Sequence, residues 1–171
     1  MKRKIFLILL IVTLICLYKQ TNNIIIIPDT SIRLRVIPSS NSPEDVYIKE
    51  QVKSYLEKNV INLTKNSNSI DETRNIINNN IPNIENNINN IFKDNDYKLP
   101  YEVNYGLNYF PEKEFQGFIY QEGYYESLVI SIGDAKGDNF WCVLFPNLCL
   151  INPEEEHTYK SYFKDLLNKI F

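Results

Sequence analysis

The sequence predicts an α+β domain: an antiparallel sheet of about four to five strands with two to three helices packed on one face. Three observations carry that expectation. From Tyr101 to Phe145 the apolar residues recur with a period of two, broken by turn residues. From Ser42 to Ile91 they recur at helical spacing. The length, 171 residues, suffices for one domain with a proper core and is too short for two comfortable ones.

The chain opens on Met1-Lys2-Arg3-Lys4, followed by Ile5 to Leu17 with Thr13 as the single polar residue. A basic start and an apolar run of that length read as a signal peptide, short for a bilayer span. No small-x-small pair precedes Lys19 or Asn22, so inefficient cleavage or retention as an anchor both stay open. Cys16 invites a lipoprotein reading, but bulky Ile15 precedes it. A buried helix of a cytosolic protein is the alternative, and the basic start and unbroken apolar run argue against it. The expected organisation is residues 1–21 as signal peptide or N-terminal membrane anchor, 22–31 as linker, and 32–171 as a single α+β domain.

Within the linker, Ile24 to Ile27 is a short apolar run ended by Pro28-Asp29. Ile32 to Ile37 alternates apolar residues with Arg33 and Arg35, which predicts a strand with the arginines together on a solvated or ion-paired face. A basic docking stripe is the sharper reading. Ser42-Pro43-Glu44-Asp45 supplies a hydroxyl cap, a proline at the first helical position and acids at the positive end of the dipole. The helix it opens should run to about Asn59, with Ile48, Val52, Tyr55, Leu56 and Val60 as its apolar stripe. Ser69-Ile70-Asp71-Glu72 is a capping box, and Ile77, Ile81, Ile84, Ile88 and Ile91 form a second stripe. Pro82 should kink or split that helix near Asn80.

Tyr101 to Tyr109, Phe115 to Tyr120 and Tyr124 to Ile132 then read as strands joined by short turns. The turn 133–139, GDAKGDN, leads into Phe140 to Phe145, six apolar residues closed by Pro146. That run reads as a strand buried on both faces. Pro153 and Glu154 to Glu156 open a last helix, whose buried stripe is Tyr159, Tyr162, Phe163, Leu166, Leu167 and Ile170.

Charge and cysteine usage narrow the function. The chain is −3 overall, and without Lys2, Arg3, Lys4 and Lys19 it carries 14 basic and 21 acidic residues, a net of −7. So acidic a domain is a poor nucleic-acid binder. Outside the cytoplasm Cys142 and Cys149 can persist as a disulfide, and two buried thiols are the other reading. Neither a His nor a further Cys lies near enough to suggest a zinc site, and no metal or cofactor is implied. The single His, His157, follows three Glu at a helix start, where a solvated role is ordinary. Cys142 falls in a strand, the wrong place for a nucleophile that needs an exposed, electropositive setting. GDAKGDN lacks phosphate-loop spacing, and Asp134 and Asp138 are too few for a calcium loop. The pattern argues for a non-enzyme. Aromatic residues at strand ends and turns, Tyr109, Phe110, Tyr120, Tyr124 and Tyr125, are the usual anchors of a protein interface, and roofing of a sheet is their plainer role.

Three blocks resemble one family. They are IRLRVIPSSNSPED from Ile32 to Asp45; Asn108-Tyr-Phe-Pro111 with Phe115, Gly117 and Gly123-Tyr-Tyr-Glu126; and Ile132-Gly133, Gly137, Asn139-Phe-Trp-Cys-Val-Leu-Phe-Pro146 with Leu148-Cys149. The family is stage II sporulation protein R of endospore-forming bacteria. Pro38 stands where the family more often has a small residue, and Phe140 where a second Trp is expected. The resemblance implies an intercellular signalling protein, exported from the forespore into the space between its two membranes. There it would activate the membrane-embedded aspartic protease of the mother cell, stage II sporulation protein GA, which processes the sigma-E precursor. It carries over no catalytic residue. The expected contact residues are Trp141, Phe145 and Pro146, with Arg33 and Arg35 as a second patch and Phe110 beside them. An exported cell-wall hydrolase and a structural protein of the spore envelope are the alternatives.

Overall fold

The computed structural model describes residues 30–115 and 118–146, together with residues 6, 10, 11, 13, 25 and 26. Most of the expected leader, Cys149, His157 and the expected C-terminal helix lie outside the described residues. No helix among the described residues is long and apolar enough to cross a membrane. The chain divides into two units. The smaller, Met1–Ile27 with Pro111–Glu122, holds a three-stranded sheet of order β1-β5-β4, where β1 is Ile25–Ile26, β4 Lys113–Phe115 and β5 Phe118–Tyr120. β1 pairs with β5 in parallel, and β4 with β5 antiparallel.

The larger unit, Pro28–Phe110 with Gly123–Phe171, is the α+β fold. Its strands are β2 (Ile32–Ile37), β3 (Tyr101–Phe110), β6 (Gly123–Ile132) and β7 (Phe140–Phe145), in the order β3-β6-β2-β7. β3–β6 and β2–β7 are antiparallel, but they are not the consecutive hairpins that short connections suggest: β2 inserts between β6 and β7. β2 and β6 run parallel, so the sheet is mixed. That pairing joins residues about 94 positions apart, beyond the reach of any local pattern.

The helices follow their caps. α1 (Pro43–Leu56) starts at Ser42, whose hydroxyl accepts from the Asp45 amide at 3.2 Å. It continues through a π-helical turn, Glu57–Ile61, into α2 (Asn62–Thr64). α3 (Ile70–Asp94) starts at Ser69, which accepts from the Glu72 amide at 3.1 Å, while Glu72 accepts from the Asn68 amide at 2.8 Å. Pro82 lies inside α3 and does not split it. The helix is held by tertiary packing: Ile77, Ile84 and Ile88 are fully buried, and Phe92 nearly so. Ile81 and Ile91 are only partly buried, so the stripe is narrower than the spacing suggests.

The core lies between these helices and one face of the sheet. Ile48, Val52 and Leu56 of α1 and the isoleucines of α3 pack on Leu34, Val36, Leu128, Ile130, Ile132, Cys142 and Leu144. Burying a Val, Leu or Ile stabilises by roughly 1.5–3 kcal/mol each, so this layer dominates the driving force.

The loop from Pro38 to Asn41 and the turn 133–139 interlock. Gly137 donates to the Pro38 carbonyl (3.0 Å), Lys136 to that of Ser39 (3.1 Å), Asp134 to the Ser39 hydroxyl (3.2 Å) and Asp138 to Asn41 Oδ1 (2.7 Å). A Cβ on Gly137 would fall 2.4 Å from the Ser40 carbonyl oxygen, so only glycine fits there.

Candidate interaction face

The alternation of β2 sets Arg33, Arg35 and Ile37 on the sheet face opposite the helices. Strand register brings Ser127 and Val143 beside Arg33, and Val129 and Trp141 beside Arg35. Phe110, at the end of β3, and Tyr125, early in β6, complete the set.

The result is a ladder of alternating cations and rings. Arg33 Cζ lies 3.3 Å from the Tyr125 ring centroid and 5.4 Å from that of Phe110. Arg35 Cζ lies 5.6 Å from Phe110 and 5.4 Å from Trp141. Phe110 meets Trp141 edge to face at 5.1 Å and Tyr125 at 6.2 Å. Each guanidinium over a ring contributes about 0.5–2 kcal/mol, the upper end when desolvated. Arg33 Nε donates to the Ser31 hydroxyl at 3.3 Å. Arg35 Nη1 donates to the Tyr109 carbonyl at 3.5 Å. With the Asn139 amide turned so that both its ends are satisfied, its oxygen accepts from Arg35 Nη2 (2.9 Å) and Nε (3.0 Å) and its nitrogen donates to the Gly137 carbonyl (2.9 Å). Asn139 thereby ties the ladder to the interlocked loops. Burial lowers the Arg35 pKa from its ordinary value, as expected for a cation half removed from water.

The expectation of a solvated arginine face is corrected at Arg33. Arg33 is completely buried, and its planar group is stacked on rings. Alternation separates the two faces of a strand but cannot say that both are covered. Of the expected contact residues, Arg33, Arg35, Phe110 and Trp141 come together in the ladder, with Arg33 and Phe110 inside and Arg35 and Trp141 half-buried at its rim. Phe145 packs into the helix-side core, and Pro146 is buried after a cis peptide bond. Cys142 is disulfide-bonded. Cys149 lies outside the described residues, so their pairing stays a proposal.

Two polar clusters escaped the sequence reading. Asp45, read as a helix-start acid, is buried and accepts from the Tyr97 hydroxyl and, at 2.5 Å, from the Ser40 hydroxyl. Burial alone would raise its pKa, but hydrogen bonds from Ser40, Tyr97 and Ser42 hold it below the ordinary carboxylate value. Glu126 accepts from Arg74 Nε (2.9 and 3.0 Å) and Nη2 (2.8 Å) and from the Tyr105 hydroxyl (2.6 Å). The Arg74 bonds hold its carboxyl low against burial, helped by Tyr105. Burial and the Glu126 contact push the Tyr105 phenol up. Only the SPED helix start gave a sequence signal for either cluster. Both bind α1 or α3 to neighbouring elements, and neither presents a nucleophile beside a free base. Among the described residues no group of His, Cys, Asp and Glu could hold a metal.

The family model described as stage II sporulation protein R matches residues 28–155. Stage II sporulation protein R of Bacillus subtilis (strain 168) is 31% identical over 134 residues, covering 78% of this chain and 60% of the relative. The chain thus spans about three fifths of the length of the curated relative it matches. No solved structure matches.

Proposed function

The chain belongs to the stage II sporulation protein R family, and from that premise we propose that it is a secreted intercellular signal of sporulation that acts by binding. Its partner is the membrane-embedded aspartic protease of the mother cell, stage II sporulation protein GA, which processes the sigma-E precursor. The observation that carries this reading is the family match across residues 28–155. The basic, apolar leader supports export from the forespore into the intermembrane space, with membrane contact through residues 1–21 where the leader is kept. The character of the sheet face, aromatic and cationic with no catalytic set among the described residues, supports recognition rather than turnover.

Activation by binding requires that the ligand favour the active protease over the inactive one; tenfold activation needs about 1.4 kcal/mol of differential affinity. We assign that contact to the rim of the ladder, Arg35 and Trp141, with Arg33 and Phe110 fixing the rim from within and Phe145 and Pro146 ending the strand that carries Trp141. Trp and Arg at the edge of a rigid sheet are the residues best able to concentrate binding energy.

The test is co-expression of this chain, the protease and the sigma precursor in a host that does not sporulate, scoring cleavage. Trp141→Ala and Arg35→Ala should each lower cleavage at least tenfold when assayed well below the variant's own thermal midpoint, which the lost ring and guanidinium contacts lower by several degrees. Full cleavage with both variants would remove the contact from this rim. No cleavage by the unaltered chain would sink the activator reading itself.

A further inference from the structure

We propose that the outer edge of β3, over residues 102–108, pairs antiparallel with the same edge of a second copy of this chain. The two four-stranded sheets then join into one about a two-fold axis at Tyr105. The inference does not rest on receptor binding.

β3 ends the order β3-β6-β2-β7, and among the described residues it pairs with β6 alone. Its outer edge is a row of backbone donors and acceptors that only another extended chain satisfies in register. Edge strands are usually short or guarded by Lys, Pro or a bulge. β3 is 10 residues long, regular in register throughout, and contains no Lys, Arg or Pro. Its sole charge is Glu102. It also presents apolar surface: Leu107 is 74% exposed, and Tyr124, opposite Tyr109 on β6, is 73% exposed.

The occupant follows from the strand's complementarity to itself. A two-fold axis at Tyr105 sets Val103 against Leu107 of the second copy, Asn104 against Gly106, and Glu102 against Asn108. No like charges meet, which directly opposed strands require. Apolar pairs fall on the helix side and polar pairs on the other, so both faces continue across the join. Gly106 leaves room for the facing Asn104: a Cβ there would meet only Asn104 Oδ1 of its own chain, at 3.8 Å. Seven paired residues span about 24 Å, and so narrow a contact lies at the small end of specific interfaces. The dimer is therefore concentration-dependent.

The test uses the full chain in mild detergent, followed by sedimentation velocity from about 1 to 100 μM with amide hydrogen exchange at both ends of the series. The expected result is a monomer–dimer transition in which the outward-facing, alternate amides of residues 102–108, those not already bonded to β6, slow at least tenfold at high concentration. Leu107→Lys and, independently, Asn104→Lys should move the transition at least tenfold higher without changing the thermal midpoint, since both positions are exposed. A monomer throughout would overturn the proposal. So would a dimer whose β3 exchange is unchanged, which would place the contact elsewhere, or a dimer indifferent to both lysines. Protection of β3 that appears only when a different protein is added would assign the edge to a heterologous strand and overturn it equally.

Discussion

Replacing Gly137 by Ala adds one methyl group at the point where the two interlocked loops touch. The new Cβ would stand 2.4 Å from the Ser40 carbonyl oxygen, 2.6 Å from its carbon and 2.7 Å from Pro38 Cγ. Two of these atoms are backbone, so no side-chain rotation relieves the contact. Reaching an ordinary separation moves the turn by about 1 Å, which breaks the Gly137 and Lys136 hydrogen bonds to Pro38 and Ser39. At about 1 kcal/mol for each bond and the remainder as strain, the loss is about 2–3 kcal/mol. For a chain of this size that lowers the thermal midpoint by roughly 5–10 °C. Urea denaturation of the purified protein, followed by tryptophan fluorescence at Trp141, measures it. Gly106→Ala is the matched control, with ordinary space around its Cβ, and should cost less than about 0.5 kcal/mol. If Gly137→Ala is as mild as Gly106→Ala, the loops do not press on each other as described and steric fit is not what requires glycine there.

Three further outcomes are expected. Ser69→Ala removes the acceptor for the Glu72 amide and should destabilise by about 1 kcal/mol in urea titration. Arg33→Lys keeps the charge but loses the planar stack on Tyr125, and should cost about 1–2 kcal/mol in the same titration. Asp45 and Glu126 titrate below their ordinary values of 3.8 and 4.5 in the folded state, so their contribution to stability is full above about pH 4.5 and is lost as pH falls through the depressed folded values. Asp45→Asn and Glu126→Gln should each lower stability at pH 7 and flatten the acid limb of a stability–pH curve, and an unchanged limb in both would show that these carboxylates are not the groups involved.

What was legible in the sequence is what local chemistry controls. Ser42 and Ser69 announce their helices because a hydroxyl placed before an acidic turn has few other uses, and both cap as expected. Strands β2, β3 and β6 emerge within a residue of the alternation that predicts them, and β7 coincides with its apolar run. Pro82 does not split its helix, because the local penalty of a missing amide is outweighed by the isoleucines buried on either side of it. The parallel β2–β6 pair was invisible, since nothing in either strand encodes its partner. At the candidate site, alternation was enough to put Arg33 and Arg35 on one face. It could not interleave them with Phe110, Tyr125 and Trp141, because that depends on which strands become neighbours. Asp45 is the first-turn acid that the sequence announces, but its burial escaped notice for the same reason: its partner Tyr97 lies far along the chain.

The place of β2 in the sheet bears on how such a chain could be delivered. β2 is the first strand of its sheet to be made, yet it lies between β6 and β7, whose register partners follow about 90 to 110 residues later. A polypeptide threaded through a membrane leading end first therefore presents β2 long before either neighbour exists. The sheet cannot close on the near side while its last strands are still being synthesised, and on the far side it cannot close until nearly all of residues 32–145 have crossed. Late closure would keep the passenger loose enough to translocate and make it compact only on arrival.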